Sequence, residues 1–364
     1  MFSVRSSYIT VDLDKLRANY THLKRIAYPA RVHAVIKANA YGHGLVPVAR
    51  ALESHGADGL CVALVEEGLE LRAAGISLPI WVLNGIYGTY HREVIRAHLT
   101  PIIWDTADAL AFNAAAEGTL AVHVKIDTGT ARLGVPRQEF ASFLDGLDSC
   151  QNLQIAGAMT HLASADTDPD MTHVQLSRFD QALAQLQAHG HRPTFIHAAN
   201  SAATLGYAHA RYSAVRNGIT VYGIGPDLQP ALSLTTHILA VRQLPKGEPV
   251  GYRNAYHTKR DSRLATIALG YGDGFPRSLT NRGTVLVGGV RCPVVGEISM
   301  DLTIVDITDV PQAHPGDEAV LIGTQSHAAL PAQQVAQAAE MSVYELFTRL
   351  MPRVPRVYIG GSCV

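Results

Sequence analysis

Short apolar runs alternate with amphipathic stretches over the first two-thirds of the chain. Eight runs read as strands: RVHAVIK (31–37), ADGLCVAL (57–64), LPIWVL (78–83), TPIIW (100–104), LAVHVKI (120–126), LQIAGAM (153–159), PTFIHA (193–198) and YSAVR (212–216). Helical patterns separate most of them. LVPVARALES follows the first run, VEEGLELRAAG the second and TADALAFNAAAEG the fourth. After the sixth, MTHVQLSRFDQALAQLQAHG places apolar residues near the 3.6 period and stops at a glycine. Eight short strands alternating with helices predict an α/β fold, a (β/α)8 TIM-type barrel. The competing arrangement is an open doubly wound sheet. The first strand lacks the GxGxxG turn of that fold, and GIG at 223–225 is a lone fragment.

After about residue 230 the texture changes. LSLTTHILAVRQL, RLATIALGY, GTVLVGG, RCPVVGEI, LTIVDIT and EAVLIG are strand-like runs joined by Gly, Pro and Asp turns. One late helix is expected around LPAQQVAQAAEMSVYELFTRL, and RVYIG forms a final strand. The pattern divides the chain into a barrel domain over 10–230 and a mainly-β domain over 231–364. Two domains also suit a chain of 364 residues.

Composition narrows the function classes. Hydrophobic residues make up 47% and charged residues 17%, as in a folded enzyme. The net charge of -1 provides no basic excess to follow a phosphate backbone, so no nucleic-acid partner is expected. Cys61, Cys150, Cys292 and Cys363 lie far apart with no CxxC pair, so neither a metal site nor a disulfide framework is expected. The opening MFSVRSSYITVDLDKL lacks the apolar stretch of a signal peptide, and no run of apolar residues reaches membrane length. A cytoplasmic, non-membrane protein is the expectation.

Active residues of such barrels come from the C-terminal ends of the strands. Lys37 and Tyr41 end strand one. Arg132 follows strand five in KIDTGTARLG, and His161 follows strand six in MTHLASAD. Asn200 and Ser201 follow strand seven, and Arg216, Asn217 and Gly218 end strand eight. A lysine at a strand end is often only a solvated charge. Lys37, however, closes an apolar strand and precedes ANAYGHG, and an amine drawn into an apolar mouth loses proton affinity and becomes nucleophilic toward an aldehyde. Ser201 and the Gly218–Ile219 turn suit a phosphate, which barrels often hold after strands seven and eight. Ser201 equally suits a helix cap. Arg216 fits either a structural ion pair or contact with a cofactor ring, His161 either a satisfied buried imidazole or a catalyst, and Arg132 either a surface position or a site.

AVIKANAYGHG closely resembles the cofactor-lysine motif of bacterial alanine racemases, which are fold-type III pyridoxal-phosphate enzymes. KIDTGTARLG, MTHLASAD, AANSAAT and VRNGITVYG follow in that family's order, then VGYRNAY, LGYGDGFPR, GEISMD and RVPRVY. The resemblance covers nearly the whole chain. It implies that residues 1–9 join the C-terminal β domain and that the protein is a homodimer with shared active sites. Lys37 would carry pyridoxal 5'-phosphate. Tyr41, Ser201, Gly218 and Ile219 would hold its phosphate, Arg216 would face its ring nitrogen with His161 linked to Arg216, and Arg132 would bond its phenolic oxygen. Lys125 stands where many members carry a carbamate that holds that arginine. Tyr256 would be a second base arriving from the partner subunit, and Arg132, with Tyr271, Met300 and Asp301 of that partner, would bind the substrate.

The implied activity is interconversion of L- and D-alanine, which supplies D-alanine as a peptidoglycan precursor. Racemisation removes a proton from one face of Cα and returns one to the other, so it favours two bases on opposite sides, here Lys37 and Tyr256. A serine or broad-specificity racemase is an alternative on the same scaffold. A non-catalytic pyridoxal-phosphate-binding homeostasis protein is an alternative of another class, and a decarboxylase of the same two-domain plan is a weaker one. The chain departs from the family at Pro352, where many members place a tyrosine, and at Arg253 and Asn254, where small residues are usual.

Overall fold

The computed structural model describes residues 6–361. The chain divides into two units. One comprises Leu16–Ala40 and Leu45–Gln229. The other comprises the chain up to Lys15, Tyr41–Gly44 and the chain from Pro230 onward. Cys363 lies outside the described residues, and Cys61, Cys150 and Cys292 are free and buried.

The first unit is a barrel of eight parallel strands. In chain order they are Arg31–Val35, Gly59–Val62, Ile80–Val82, Leu99–Ile103, Leu120–Asp127, Leu153–Met159, Phe195–His197 and Ala214–Asn217. The second to seventh strands each pair with their predecessor, and the eighth pairs with the first, Arg216 opposite His33. Between the seventh and eighth strands the ladder reduces to two main-chain bonds, Ser213 N–H to Ile196 at 3.1 Å and Arg216 N–H to Ala199 at 3.0 Å. The strands are apolar on both faces because helices cover the outside and side chains fill the inside.

Most strands are shorter than the apolar runs that announce them. The first stops at Val35, so Lys37 begins the following turn and does not end the strand. The helices Leu45–Ser54, Val65–Ala73, Thr106–Ala115 and Pro169–Ala188 occupy the expected stretches. A further helix, Leu13–Ala27, buries Leu16, Tyr20, Leu23 and Ala27 along one face at helical spacing.

The β-rich unit is built around Leu232–Leu244, a 13-residue strand. Its first half pairs with Tyr8–Asp12 and with Glu318–Gln325. A bulge between Ile238 and Ala240 then redirects it, and its second half pairs with Ser262–Ile267, which in turn pairs with Thr303–Asp306. Arg356–Ile359 runs parallel to Tyr8–Asp12 at the sheet edge. The single late helix expected from the pattern is two helices, Ala332–Ala338 and Val343–Arg349. Glu340 has φ of 56°, which ends the first, and the Ser342 hydroxyl caps the second by accepting from Glu345 N–H. Among the described residues, no helix is long and apolar enough to cross a membrane.

Candidate active site

The turn after the first barrel strand is a left-handed helical turn. Ala38, Asn39, Ala40 and Tyr41 have φ of 51°, 55°, 52° and 50°. Non-glycine residues adopt this conformation at about 1–2 kcal/mol each, so other contacts must fix it. The Glu67 carboxylate accepts from Ala38 N–H at 2.6 Å and from Ala63 N–H at 2.8 Å. Asn39 Oδ1 accepts from Leu45 N–H at 2.8 Å, where the next helix begins. Burial and the charge of Arg132 lower the proton affinity of Lys37, opposed by Glu67 and Cys61. Tyr41, buried, falls in the β-rich unit, where its ring lies 5.8 Å from that of Tyr344.

The turn after the fifth strand carries Arg132. One oxygen of Asp127 accepts from the main-chain N–H groups of Gly129 and Thr130, both at 2.9 Å, and of Ala131 at 3.2 Å. Arg132 is exposed at this rim. Gln175 joins this turn to the next by donating to Thr128 Oγ1 at 3.2 Å and to the His161 carbonyl at 3.0 Å. Lys125, only 4% exposed, sits 5.6 Å above the Trp104 ring. Burial, with the nearby cations Arg216, Arg132 and Lys37, pushes its amine down to about 8. The His161 imidazole is pushed down to about 3 by burial and by the same cations together with Lys125.

Arg216 lies inside the barrel and is 3% exposed. It donates to the carbonyls of His197 at 2.6 Å, Thr160 at 2.8 Å and Ala198 at 3.1 Å, and to Nδ1 of His197 at 2.8 Å. The imidazole bonded to Arg216 is therefore that of His197 on the adjacent strand, and His161 shares only the electrostatic field. Burial lowers Arg216 to about 10, so it stays charged near neutral pH. A guanidinium can only donate, which leaves the His197 proton on Nε2 to donate to His123 Nδ1 at 2.9 Å. His33, stacked on Trp81 at 3.5 Å between ring centroids, completes this layer. Gly59 and Gly157 make the room, since a Cβ on either would run into the ring of His33 or His123.

Ser201 and Gly218 meet after strands seven and eight, where Ser201 Oγ accepts from Gly218 N–H at 2.9 Å and from Thr220 Oγ1 at 3.1 Å. Asn200, not Ser201, caps the short helix Ser201–Gly206, its side chain accepting from Ala203 N–H at 3.0 Å. Asn217 is fully buried, and its amide nitrogen has no hydrogen-bond partner. An unpartnered buried donor beside Ser201 and Gly218 fits an anionic group such as a phosphate ester. Ile219 is buried beside it. Among the described residues, no group of His, Cys, Asp or Glu could hold a metal ion.

The remaining candidates lie in the β-rich unit. Tyr256 is half-buried and begins a two-residue strand paired with Pro249–Val250. Tyr271 N–H bonds the Ser299 carbonyl at 3.0 Å and Gly272 N–H bonds Met300 at 2.8 Å, which brings Tyr271, Met300 and Asp301 onto one pair of segments. Asp301 is ion-paired with Arg353, which also binds the buried Asp273 at 2.6 Å. Pro352 is explained by its turn: Val354 N–H bonds Met351 at 3.1 Å, so proline takes the second position of a β-turn, where its fixed φ is favoured. Tyr252, Arg253, Tyr271, Arg277 and Met300 line a cavity of about 440 Å3.

Sequence reasoning did not single out Glu67, Asp127, Gln175, His123 or His197. Glu67 and Asp127 act on main-chain N–H groups of turns whose left-handed course leaves no periodic trace. His123 and His197 stand inside apolar strand runs and read there as strand residues.

A TIM-type barrel with a cationic mouth and a buried unpartnered donor at its strand ends, followed by a separate β-rich unit, defines a two-domain barrel protein suited to holding an anionic group. Comparison with known proteins narrows it. Residues 11–226 match the profile of the alanine racemase N-terminal domain, and residues 231–358 that of the alanine racemase C-terminal domain. The chain is 41% identical to the alanine racemase of Symbiobacterium thermophilum, over 99% of this chain and 98% of that protein. It is 39% identical to that of Sorangium cellulosum, over 98% and 99%. Its fold is similar to the alanine racemase of Streptomyces lavendulae, with a TM-score of 0.94 at 36% identity over 99% of both chains. It is also similar to the Bartonella henselae alanine racemase with covalently bound pyridoxal phosphate, with a TM-score of 0.89 at 32% identity over 97% of this chain and 99% of that one. The chain belongs to the alanine racemase family and is an isomerase.

Proposed function

We propose that this protein interconverts L- and D-alanine with pyridoxal 5'-phosphate held by Lys37. The observation that supports this most is one of placement: an amine of lowered proton affinity follows the first barrel strand and a buried, unpartnered amide ends the eighth, at the same ends of the barrel strands. When bound, pyridoxal phosphate withdraws electrons from the amino acid and acidifies its Cα–H bond. The chain's own residues do the rest. Ser201, Gly218, Ile219 and Tyr41 hold the phosphate. Arg216 faces the ring nitrogen as a permanent donor, because even burial leaves it charged at neutral pH. Arg132 bonds the phenolic oxygen.

Lys125 fits a carbamate. An amine pushed down to about 8 is partly unprotonated near neutral pH, and its nitrogen can bond to the carbon of carbon dioxide as an N–H proton is released to solvent. The resulting negative charge would sit among Arg132, Lys37 and Arg216, where a cation is disfavoured. Lys37 moves a proton at one face of Cα and Tyr256 of a partner copy at the other, with His161 near the path. Tyr271, Met300 and Asp301 of the same partner border the substrate. This makes the enzyme a homodimer with shared active sites, its barrel spanning 10–230 and its β domain 231–364 with 1–9. We place it in the cytoplasm, supplying D-alanine for peptidoglycan.

The test is reconstitution followed by assay. Wild-type protein loaded with pyridoxal phosphate should show a visible absorbance band and form D-alanine from L-alanine faster than it acts on serine. Lys37→Ala should lose the covalent band, and Tyr256→Phe should lower kcat/KM about 10²–10⁴-fold. A Lys37→Ala protein that keeps a covalently bound cofactor would overturn the assignment.

A further inference from the structure

Tyr256 follows a turn in which three of five residues have positive φ: Gly251 at 74°, Arg253 at 59° and Asn254 at 51°. Arginine gains nothing locally from that conformation, which costs it about 1–2 kcal/mol. Its side chain shows what holds it there. Glu297 is a carboxylate only 6% exposed, and its two oxygens are divided between two arginines. Oε2 accepts from Arg253 Nε at 2.9 Å and Nη2 at 2.8 Å, and Oε1 accepts from Arg277. The Arg253 side chain is 74% exposed, so the pair sets a solvated cation against a desolvated anion. Losing Arg253 would leave one buried oxygen without a donor.

A second tie reaches the same place. Asn281 donates to the Ala255 carbonyl at 2.7 Å and accepts from Gly296 N–H at 2.7 Å. A Cβ at Gly251 would stand 3.1 Å from Glu297 N, so the turn already lies directly against residues 296–297. Tyr256 leaves this doubly tethered turn, and its ring packs against Val250, Leu264 and Val295. The packing fixes the ring at its base, while the turn fixes the backbone from which the phenol projects.

We propose that Arg253, acting through Glu297, is a positioning residue that sets the reach of the Tyr256 phenol. The inference rests on Tyr256 moving a proton in the proposed reaction. It also gives a physical reason for an arginine at a position where small residues are usual in the resembling family.

Arg253→Met and Arg253→Gly separate the tie from the backbone strain, because glycine accepts the positive φ and both variants lose the ion pair. Arg253→Lys keeps one donor. Rates with each alanine enantiomer should be measured with protium and with deuterium at Cα. A displaced phenol slows only the transfer at its own face. In Arg253→Met and Arg253→Gly, the deuterium effect should therefore rise with one enantiomer and fall with the other, and kcat/KM should drop about tenfold or more. Arg253→Lys should lie between these variants and wild type. In the cofactor-free protein, the amides of 251–257 should exchange at least about tenfold faster in Arg253→Met. Unchanged isotope effects in Arg253→Met and Arg253→Gly, or equal movement for both enantiomers, would overturn the inference while leaving the proposed function standing. Wild-type rates in Tyr256→Phe would overturn the base assignment and this inference with it.

Discussion

The two groups of candidate residues are held in opposite ways. In the barrel, the carboxylates that organise the site, those of Glu67 and Asp127, are spent on main-chain N–H groups. Among the described residues, Lys37, Lys125, Arg132 and Arg216 form no ion pair. In the β-rich unit the arginines near the candidate residues are matched to carboxylates: Arg253 and Arg277 to Glu297, and Arg353 to Asp273 and Asp301. The barrel mouth keeps positive charge uncompensated and so is built to receive an anion. The β-rich unit has largely balanced its charges already, and its ion pairs fix the course of turns.

The largest test of this contrast is acid. His33, His123 and His197 are fully buried inside the barrel, and burial, together with neighbouring charge, holds them neutral, the first two down to about 3. Their protons bind the unfolded chain at about pH 6.5 and below. Stability is therefore fully present above that value and is lost as the pH falls from about 6.5 toward 3. The combined loss is of the order of a domain's whole stability, about 5–15 kcal/mol. Both tryptophans, Trp81 and Trp104, lie in the barrel unit, so their fluorescence reports on it alone. Urea midpoints followed by tryptophan emission should fall steeply between pH 6.5 and 4. A midpoint flat over that range would show that the three imidazoles are not held neutral by burial.

A smaller effect compares one arginine from each unit. Arg216→Met leaves the carbonyls of Thr160, His197 and Ala198 and the ring of His197 without their donor. The cost should be about 3 kcal/mol, measured by denaturant unfolding, and 1 M salt should not change it. Arg353→Met removes a half-exposed cation from Asp273, which still accepts from Gly270 N–H at 2.9 Å. Its cost should be smaller than that of Arg216→Met and should shrink in salt. Equal costs with equal salt dependence would erase the distinction between the two units.

Much of this plan was legible in the chain itself. Strand and helix periods announced the eight barrel strands, and the change of texture near residue 230 announced the β-rich region. Lys37 and Ser201 stood out as candidates because small residues and glycine interrupt apolar runs there. The left-handed turn after Ile36 could not be read, because Ala38 and Ala40 carry no preference for positive φ and the turn depends on Glu67 from another element. The choice of His197 over His161 as partner of Arg216 was equally hidden. It depends on His197 standing on the adjacent strand with its ring turned inward toward Arg216, whereas His161 lies in the loop after Leu153–Met159. Arg253 stood out in the sequence as an oddity, and only the burial of Glu297 explains it.

The smallest effect tests whether the barrel's uncompensated charge is a receptor for anions. Cofactor-free protein titrated with inorganic phosphate should gain stability in proportion to ln(1 + [L]/Kd), about 1 kcal/mol when phosphate exceeds its Kd severalfold. The gain should appear in the tryptophan signal and should be reproduced by pyridoxine phosphate, which has no aldehyde to react with Lys37. Asn217→Ala removes the one buried amide nitrogen near Ser201 that has no partner, so it should weaken phosphate binding, over and above the stability it costs without phosphate. Its oxygen does accept from Thr220 Oγ1 at 3.1 Å, and the alanine variant loses that bond. Asn217→Asp keeps the acceptor and replaces the amide donor with a negative charge, so it should abolish the phosphate effect outright. If Asn217→Asp were stabilised by phosphate as strongly as wild type, the pocket at Ser201 and Gly218 would not be the anion site, and the positive charge of the mouth would need another explanation.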